Sequence, residues 1–375
     1  MKIQIHDNGK HLDFAPLSLT RAVGNLRVGI FTNDERWKIL LPEAEISFET
    51  ENYLGGKFPQ VPNATVVNAC VIPNADVVQA VKELKGNENL VIDGGWVARC
   101  GTGEVIVHYK GEMPIRIEQR WEMYQKNGEV LEQDFETITN NRTSVQLSST
   151  NTIIGDPNLV FLESGAKVEA SILNTTTGPI YIGKDAEIME GSSVRGPLAM
   201  CNNSALKMGA KVYGPTTLGP HCKVGGEVNN VIFQAYSNKG HDGFLGNSVI
   251  GEWCNIGADT NTSNLKNNYG KVKTYSYATE KLEQTDLQFM GLVMGDHSKC
   301  GINTMFNTAT VVGVSSNVFG AEFPDKYIPS FTWGTHGDAF DFDKALVSAN
   351  NMMERRGMQL SDDEIAILKH IADKK

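Results

Sequence analysis

The sequence predicts an α/β domain followed by an all-β parallel β-helix with C-terminal helices. Three observations carry this. An apolar residue recurs at every sixth position through Ile182, Ile188, Val194, Met200, Leu206, Val212, Leu218 and Val224, and again through Met294, Cys300, Phe306, Val312 and Val318. The first 115 residues instead alternate short strand and helix patterns. The last forty or so residues carry helix-start signals and no period of six. A period of six suits neither an amphipathic helix nor a half-buried strand. It marks hexapeptide repeats, in which each segment forms a short strand and a corner and turns one side chain inward.

Residues 1–115 read as mixed α/β. Lys2 to Ile5 and Ala64 to Ala69 are strand candidates. Asn74 can cap a helix through Leu84, with Val77, Val78 and Val81 on one face. Leu90-Val91-Ile92 and Glu104 to Tyr109 follow as strands, and this strand–helix–strand order suggests a βαβ unit in a parallel sheet. Residues 116–152 are a polar connector with a short helix candidate starting at Trp121. Residues 153–335 hold the repeat, with Leu162 and Val168 before the strict run and Phe244, Ile250 and Ile256 after it. The stretch 261–288 breaks the repeat and should leave the coil as a loop or hairpin, a kind of insertion that usually maps to the binding face. Residues 336–375 supply two packing helices, the second opened by the capping-box pattern Ser361-Asp362-Asp363-Glu364. No chemistry is expected of them.

A chain of 375 residues suggests two or three domains. The net charge of −10 argues against nucleic acid or an anionic membrane surface as partner, but leaves room for a local basic pocket and a phosphorylated small molecule. The start shows no secretory pattern and no stretch approaches 18 apolar residues, so a cytoplasmic protein is expected. The six cysteines show no CxxC and read as reduced.

The segment with most chemical content runs from Asn238 to Thr260. His241 stands in a glycine-flanked turn beside Asp242. Imidazole is the natural general base near neutral pH. Acyl transfer from a thioester needs such a base and donors for the developing oxyanion. His221, His241 and His297 lie in the coil region without the close spacing of a zinc site, so metal-dependent hydration is disfavoured.

The ungapped set His241, Gly246, Ile250, Gly251, Asn255, Ile256, Gly257, Ala258, Thr260 and Asn264 resembles the acetyltransferase domain of the bifunctional UDP-N-acetylglucosamine pyrophosphorylase/glucosamine-1-phosphate N-acetyltransferase family. Pro16-Leu17-Ser18-Leu19-Thr20-Arg21 with Leu26-Arg27-Val28-Gly29, Tyr181-Ile182-Gly183, and Gly225-Gly226-Glu227 extend the likeness to a shorter bacterial branch with a sugar nucleotidyltransferase-like N-terminal domain. The resemblance implies a left-handed β-helix and a homotrimer with acetyl-CoA between adjacent subunits, the insertion helping to wall that groove. It implies His241 as base, Asn255 and Lys271 on the acceptor, and backbone near Ile302 and Gly320 on acetyl-CoA. The family's tyrosine falls on Phe244, its sugar-phosphate lysine on Asn229 and its arginine on Gly219. Arg195, Lys207, Lys223 and Lys239 are the candidate replacement cations. In the N-terminal domain the resemblance puts Thr20, Arg21 and Arg27 on nucleotide phosphates. The family's Gly-Asp falls on Gly94-Gly95, with Asp93 the nearest candidate for Mg²⁺.

The leading expectation is acyl-CoA-dependent transfer to an amino-sugar phosphate or nucleotide-sugar, with acetyl-CoA as cosubstrate. The alternatives are sugar-1-phosphate nucleotidyl transfer, and a non-catalytic trimeric scaffold or ligand sensor.

Overall fold

The computed structural model describes residues 1–93, 95–335 and 337–374, so Gly94 lies outside the described residues. From Thr152 to Trp333 the chain winds through three strand columns. The first face stacks Val160–Leu162, Ile180–Ile182, Leu198–Met200, Thr216–Leu218 and their successors in parallel. The second stacks Lys167–Val168, Glu187–Ile188, Ala205–Leu206, Lys223–Val224, Asn238–Lys239 and Asn255–Ile256. The third stacks Ile172–Asn174, Ser193–Arg195 and Lys211–Tyr213, and the latter pairs with the start of Glu227–Phe233. Consecutive members of the six-residue series fall on the first, second and third face in turn. Ile182, Ile188, Val194, Met200, Leu206 and Val212 all enter one buried cluster, which Met294, Cys300, Phe306, Val312 and Val318 continue. The period is thus the spacing of inward slots.

Three slots depart from the apolar series. On the third face the inward residue beside Val228 is Leu245, and Phe244 faces outward opposite Glu227. Thr262 is buried opposite Phe306, so the coil continues through Asn261–Thr262 and the insertion begins later than its sequence suggests. On the second face the partner of Val224 is Lys239, buried at 1% exposure.

The N-terminal sheet contains Lys2–His6, Glu45–Glu49, Thr65–Asn68, Glu88–Ile92, Gly95–Arg99 and Val105–His108. Asn74 caps the helix Ala75–Glu83 by accepting from the Val77 amide at 2.8 Å. The sheet is mixed, not parallel: Gly95–Arg99 inserts antiparallel between the two strands flanking that helix. A hairpin return of this length leaves no periodic pattern that distinguishes it from a turn.

The connector is mostly a 20-residue helix, α1 (Arg120–Thr139). Glu122 closes its first turn by accepting from the Gln119 amide at 3.2 Å. Met123, Tyr124, Val130, Leu131 and Phe135 form its buried stripe. Gly128 brings the helix close to the coil: a Cβ there would stand 2.9 Å from Pro215 Cγ. Outward residues of the first face, Ile232, Val249 and Val293, join the N-terminal core itself. Sheet, α1 and coil therefore share apolar packing.

Polar contacts fix the same junction. Arg21 donates to Glu252 at 2.6 Å and to Asp296 at 2.5 Å, and Thr20 donates to Asp296 at 2.7 Å. The Arg27 amide donates to Gln234 Oε1 at 2.7 Å, and its guanidinium pairs with Glu35 at 3.0 Å. Arg36 grips Asp134 of α1 through two bonds of 2.7 Å. Such bidentate pairs are directional as well as strong.

The chain continues into two C-terminal helices, α2 (Phe342–Glu354) and α3 (Asp362–Asp373). Helix α2 runs along the corner between the first and second faces. Phe342 meets Phe331 near its start, and Arg356 donates to the His221 carbonyl at 3.3 Å just past its end. The 13-residue helix is ~20 Å long, close to the ~24 Å of five coil spacings between those corners. Ala345, Ala349 and Met353 pack with Trp253, Val314 and residues of the N-terminal domain.

The Arg21 cluster should therefore be a stability determinant. Arg21→Ala leaves two carboxylates without their partner and should cost about 3–5 kcal/mol in denaturant unfolding; an unchanged midpoint would contradict the assignment. Burial pushes the Glu252 carboxyl up, but Arg21 outweighs it and holds it at about 2, below the usual 4.5. A depressed carboxyl stabilises the fold above pH 4.5, and that contribution is lost as pH falls toward about 2. The acid sensitivity in this window should shrink in Arg21→Ala.

Candidate functional site

The first face is covered by the N-terminal domain, whereas the second face opens into a pocket of about 540 Å³. Gly240 and Gly257 line it beside the outward side chains of Lys223, Asn238 and Asn255. Gly225, Gly240, Gly257 and Gly301 follow the inward residues of successive coils. At Gly257 a Cβ would stand 2.3 Å from the Gly301 carbonyl oxygen, whereas at Gly240 it would point into open space. Lys223, Asn238 and Asn255 occupy equivalent outward positions on three adjacent strands.

His241, Asn255 and Ile302 meet in this pocket, although they come from different coils. His241 follows Gly240 at the corner between second and third faces and is exposed. Ile302 is 71% exposed, unusual for an isoleucine inside a concave site. The turn that carries His241 is tied from beneath by Lys239, whose amine donates to the carbonyl oxygens of Gly225 at 3.1 Å and His241 at 2.9 Å. Lys239 therefore anchors backbone from an inward slot and does not present its charge in the pocket.

Cations supplied by two separate elements complete the site. Lys207 and Lys223 reach it from the second face, Arg355 and Arg356 from the end of α2. None of the four forms an ion pair among the described residues. Desolvation, and then the positive charges of Arg356, Lys207 and Arg355, hold the Lys223 amine below its usual value. The end of α2 is a Schellman turn: Gly357 donates to Glu354 at 2.9 Å and Met358 to Met353 at 3.1 Å. Gly357 has φ +69°, which fixes where the two arginines leave the helix.

An aromatic column borders these cations. His221, Tyr236 and Trp253 occupy the same corner in successive coils, all with positive φ. Their rings stack at 5.0 Å and 4.2 Å, with interplanar angles of 8° and 5°. A second cavity of about 460 Å³ continues from the first and shares Lys207, Lys223, Tyr236 and Arg356 with it.

Other residues singled out in the sequence stand elsewhere. Phe244 and Asn229 lie on the third face. Gly320 and Arg195 do not line the pocket. Lys271 pairs with Asp286 within the insertion. The insertion does form a hairpin, Lys273–Ser276 with Lys281–Gln284, but within this chain it does not wall the His241 pocket. It packs toward α1: Arg120 donates to Thr274 at 3.2 Å and to the Tyr275 carbonyl, and Val272 is buried in the N-terminal core.

The proposed nucleotide contacts are also committed otherwise. Thr20, Arg21 and Arg27 are buried in the junction described above, and the cavity beside Thr20 holds only about 20 Å³. That space is too small for a triphosphate. Asp93 is in an exposed turn. Among the described residues no group of three or more His, Cys, Asp and Glu gathers that could hold a metal ion. No described helix is long and apolar enough to cross a membrane.

The arginines that follow α2 carry a signal readable in the sequence. Arg355-Arg356 precedes Gly357 at a helix end, where cations are favoured by the helix dipole. That reason alone can explain a basic pair, so nothing local assigned it to a site.

Residues 3–143 match a family model described as sugar nucleotidyl transferase. The chain is 30% identical over 118 residues to the bifunctional protein GlmU of Methanocaldococcus jannaschii, covering 32% of this chain and 28% of that protein. It is 27% identical over 164 residues to a bifunctional sugar-1-phosphate nucleotidylyltransferase/acetyltransferase of Sulfurisphaera tokodaii, covering 43% and 40%. It is 21% identical over 164 residues to a putative uncharacterized acetyltransferase, YaiX, of Escherichia coli, covering 43% and 70%. The matched stretches thus span less than a third of the GlmU proteins, 28% and 27% of their lengths. Among solved structures, an Arabidopsis UDP-N-acetylglucosamine acyltransferase aligns over 61% of this chain and 96% of its own, at 12% identity and a TM-score of 0.24.

The buried amine below the His241 turn should leave a pH signature. Burial holds Lys239 down at about 8, below the usual 10.5. Between those values the unfolded chain binds more protons, so the contribution of this group to stability rises with pH. In Lys239→Met that rise should disappear from the unfolding curves collected between pH 8 and 10.5. An identical pH dependence in both proteins would contradict a buried, titrating amine.

Proposed function

We propose that the protein is an acyltransferase that uses an acyl-CoA, with acetyl-CoA the first candidate, and an amino-sugar phosphate or nucleotide-sugar as acceptor. The observation that carries this reading is the convergence of His241, Asn255 and Ile302 on one cation-rimmed pocket. The hexapeptide-type coil and the acetyltransferases among the relatives support it.

In the proposed reaction His241 removes a proton from the acceptor amine as nitrogen attacks the thioester carbonyl. The new C–N bond forms, the C–S bond breaks, and the imidazolium returns its proton to the departing thiolate. Asn255 holds the acceptor sugar from the neighbouring strand. Ile302 gives an apolar surface against which the pantetheine arm packs and keeps water from the thioester. The unpaired cations Lys207 and Lys223 make up for the absence of positive charge at Asn229 and Gly219.

His241→Ala should lower kcat by on the order of 10²–10⁴ while leaving acyl-CoA affinity nearly intact. A thiol-release assay with acetyl-CoA and a panel of amino-sugar phosphates reads this directly. An unchanged kcat with the acceptor that turns over would remove His241 from the base role.

The match over residues 3–143 favours a second reading, nucleotidyl transfer in the N-terminal domain. It would need phosphate ligands other than Arg21 and Arg27, which are engaged in ion pairs. Incubation with a sugar-1-phosphate and each of the four NTPs tests it. Pyrophosphate release supports it, and none with any NTP would end it.

A further inference from the structure

We infer that the end of α2 and the second face together form a nucleoside-diphosphate subsite, in which Arg355, Arg356, Lys207 and Lys223 hold the diphosphate and the ring of His221 receives the base. This deepens the acyltransferase reading and rests on it for the identity of the pocket. The chemistry of the subsite itself comes from charge and shape.

Four cations of one sign line a single pocket in a chain whose net charge is −10. They repel one another, and desolvation adds to that cost at Lys223. A diphosphate carries two or more negative charges and an array of acceptors, which matches several cations better than a single carboxylate does. Arg356 already has its position fixed, since its guanidinium donates to the His221 carbonyl at 3.3 Å. That contact places a phosphate-binding group directly beside the aromatic column.

The column supplies the other half. Trp253 is buried and Tyr236 covers it, so His221 ends the stack of rings. The next residue along the corner is Asn203, which has no ring and lines the same second cavity as His221. A planar base fits as the fourth member of the stack, with its diphosphate running toward the four cations and the pocket of His241. Asp185 and Glu187 stand at the far part of the second cavity. Their charge turns the diphosphate away from that part and toward the shared wall.

Both a nucleotide-sugar and coenzyme A contain this unit, and the subsite recognises what they share. The two are separated by calorimetry on the full chain with inorganic pyrophosphate, ADP, UDP, a UDP-sugar and coenzyme A. Tighter binding of UDP and the UDP-sugar assigns the subsite to the acceptor, and tighter binding of ADP and coenzyme A assigns it to the acyl donor. In either case Arg355→Gln/Arg356→Gln should weaken nucleotide binding at least tenfold, the loss expected for hydrogen bonds to charged groups. Lys223→Gln, on a different element, should weaken it in the same direction, and Arg356→Lys should retain most of it. His221→Ala should weaken the nucleotides and leave pyrophosphate unaffected.

A folded Arg355→Gln/Arg356→Gln protein, with its melting temperature preserved, that binds every nucleotide as well as the parent would overturn the inference. So would the absence of binding by all five probes at millimolar concentration. Arginine-dependent nucleotide binding together with no acyl transfer to any acceptor would leave the subsite standing and remove the acyltransferase reading. Acyl transfer that survives the double substitution unchanged would do the reverse.

Discussion

The interior of the coil is filled at a fixed six-residue spacing, with a second inward residue on the first face, Ile180 beside Ile182 and Leu198 beside Met200, and the rest of the molecule follows from that constraint. Each inward residue stacks on its equivalents above and below, as Ile182, Met200 and Leu218 do on the first face. Filling the slots with apolar groups fixes which residues face outward. It also gives the first and second faces different fates. The first is buried under the N-terminal domain, where Ile232, Val249 and Val293 serve that domain's core. The second remains open and becomes the floor of a pocket. A rigid parallel stack can hold His241 and Asn255 at fixed separation even though they come from different coils.

The junction between domains is what turns this scaffold into a site. Arg21 joins the N-terminal domain to Glu252 and Asp296 of the coil, directly beside the corner that carries Trp253. The C-terminal helices pack on the same region, and Lys57 of the N-terminal domain meets Glu364 of α3 at 2.7 Å. Domain, coil and helices thus fix one another, and the end of α2 is delivered to the second face. A pair of arginines far away in sequence acquires its place in the pocket through this packing.

The repeat was legible because its slots impose a spacing that any reader of the sequence can count. His241 and Asn255 were legible through resemblance, and the coil brings them together with Ile302. Lys239 was not legible as an interior residue, because a scan for apolar periodicity passes over a lysine. Its amine is tolerated inside because backbone carbonyls of Gly225 and His241 accept its hydrogen bonds. Arg21 and Arg27 were misleading for the opposite reason. A basic residue near a motif suggests phosphate, yet only three-dimensional packing reveals that each already faces a carboxylate. The insertion similarly showed that it leaves the coil, while its direction depends on Arg120 and on burial of Val272.

A crystal structure with coenzyme A tests the central claim most directly. The account predicts the thiol within hydrogen-bonding reach of His241, with the pantetheine arm along Gly240 and Gly257 beside Ile302. Coenzyme A bound against the third face or within the N-terminal domain, with the His241 pocket left empty, would contradict it.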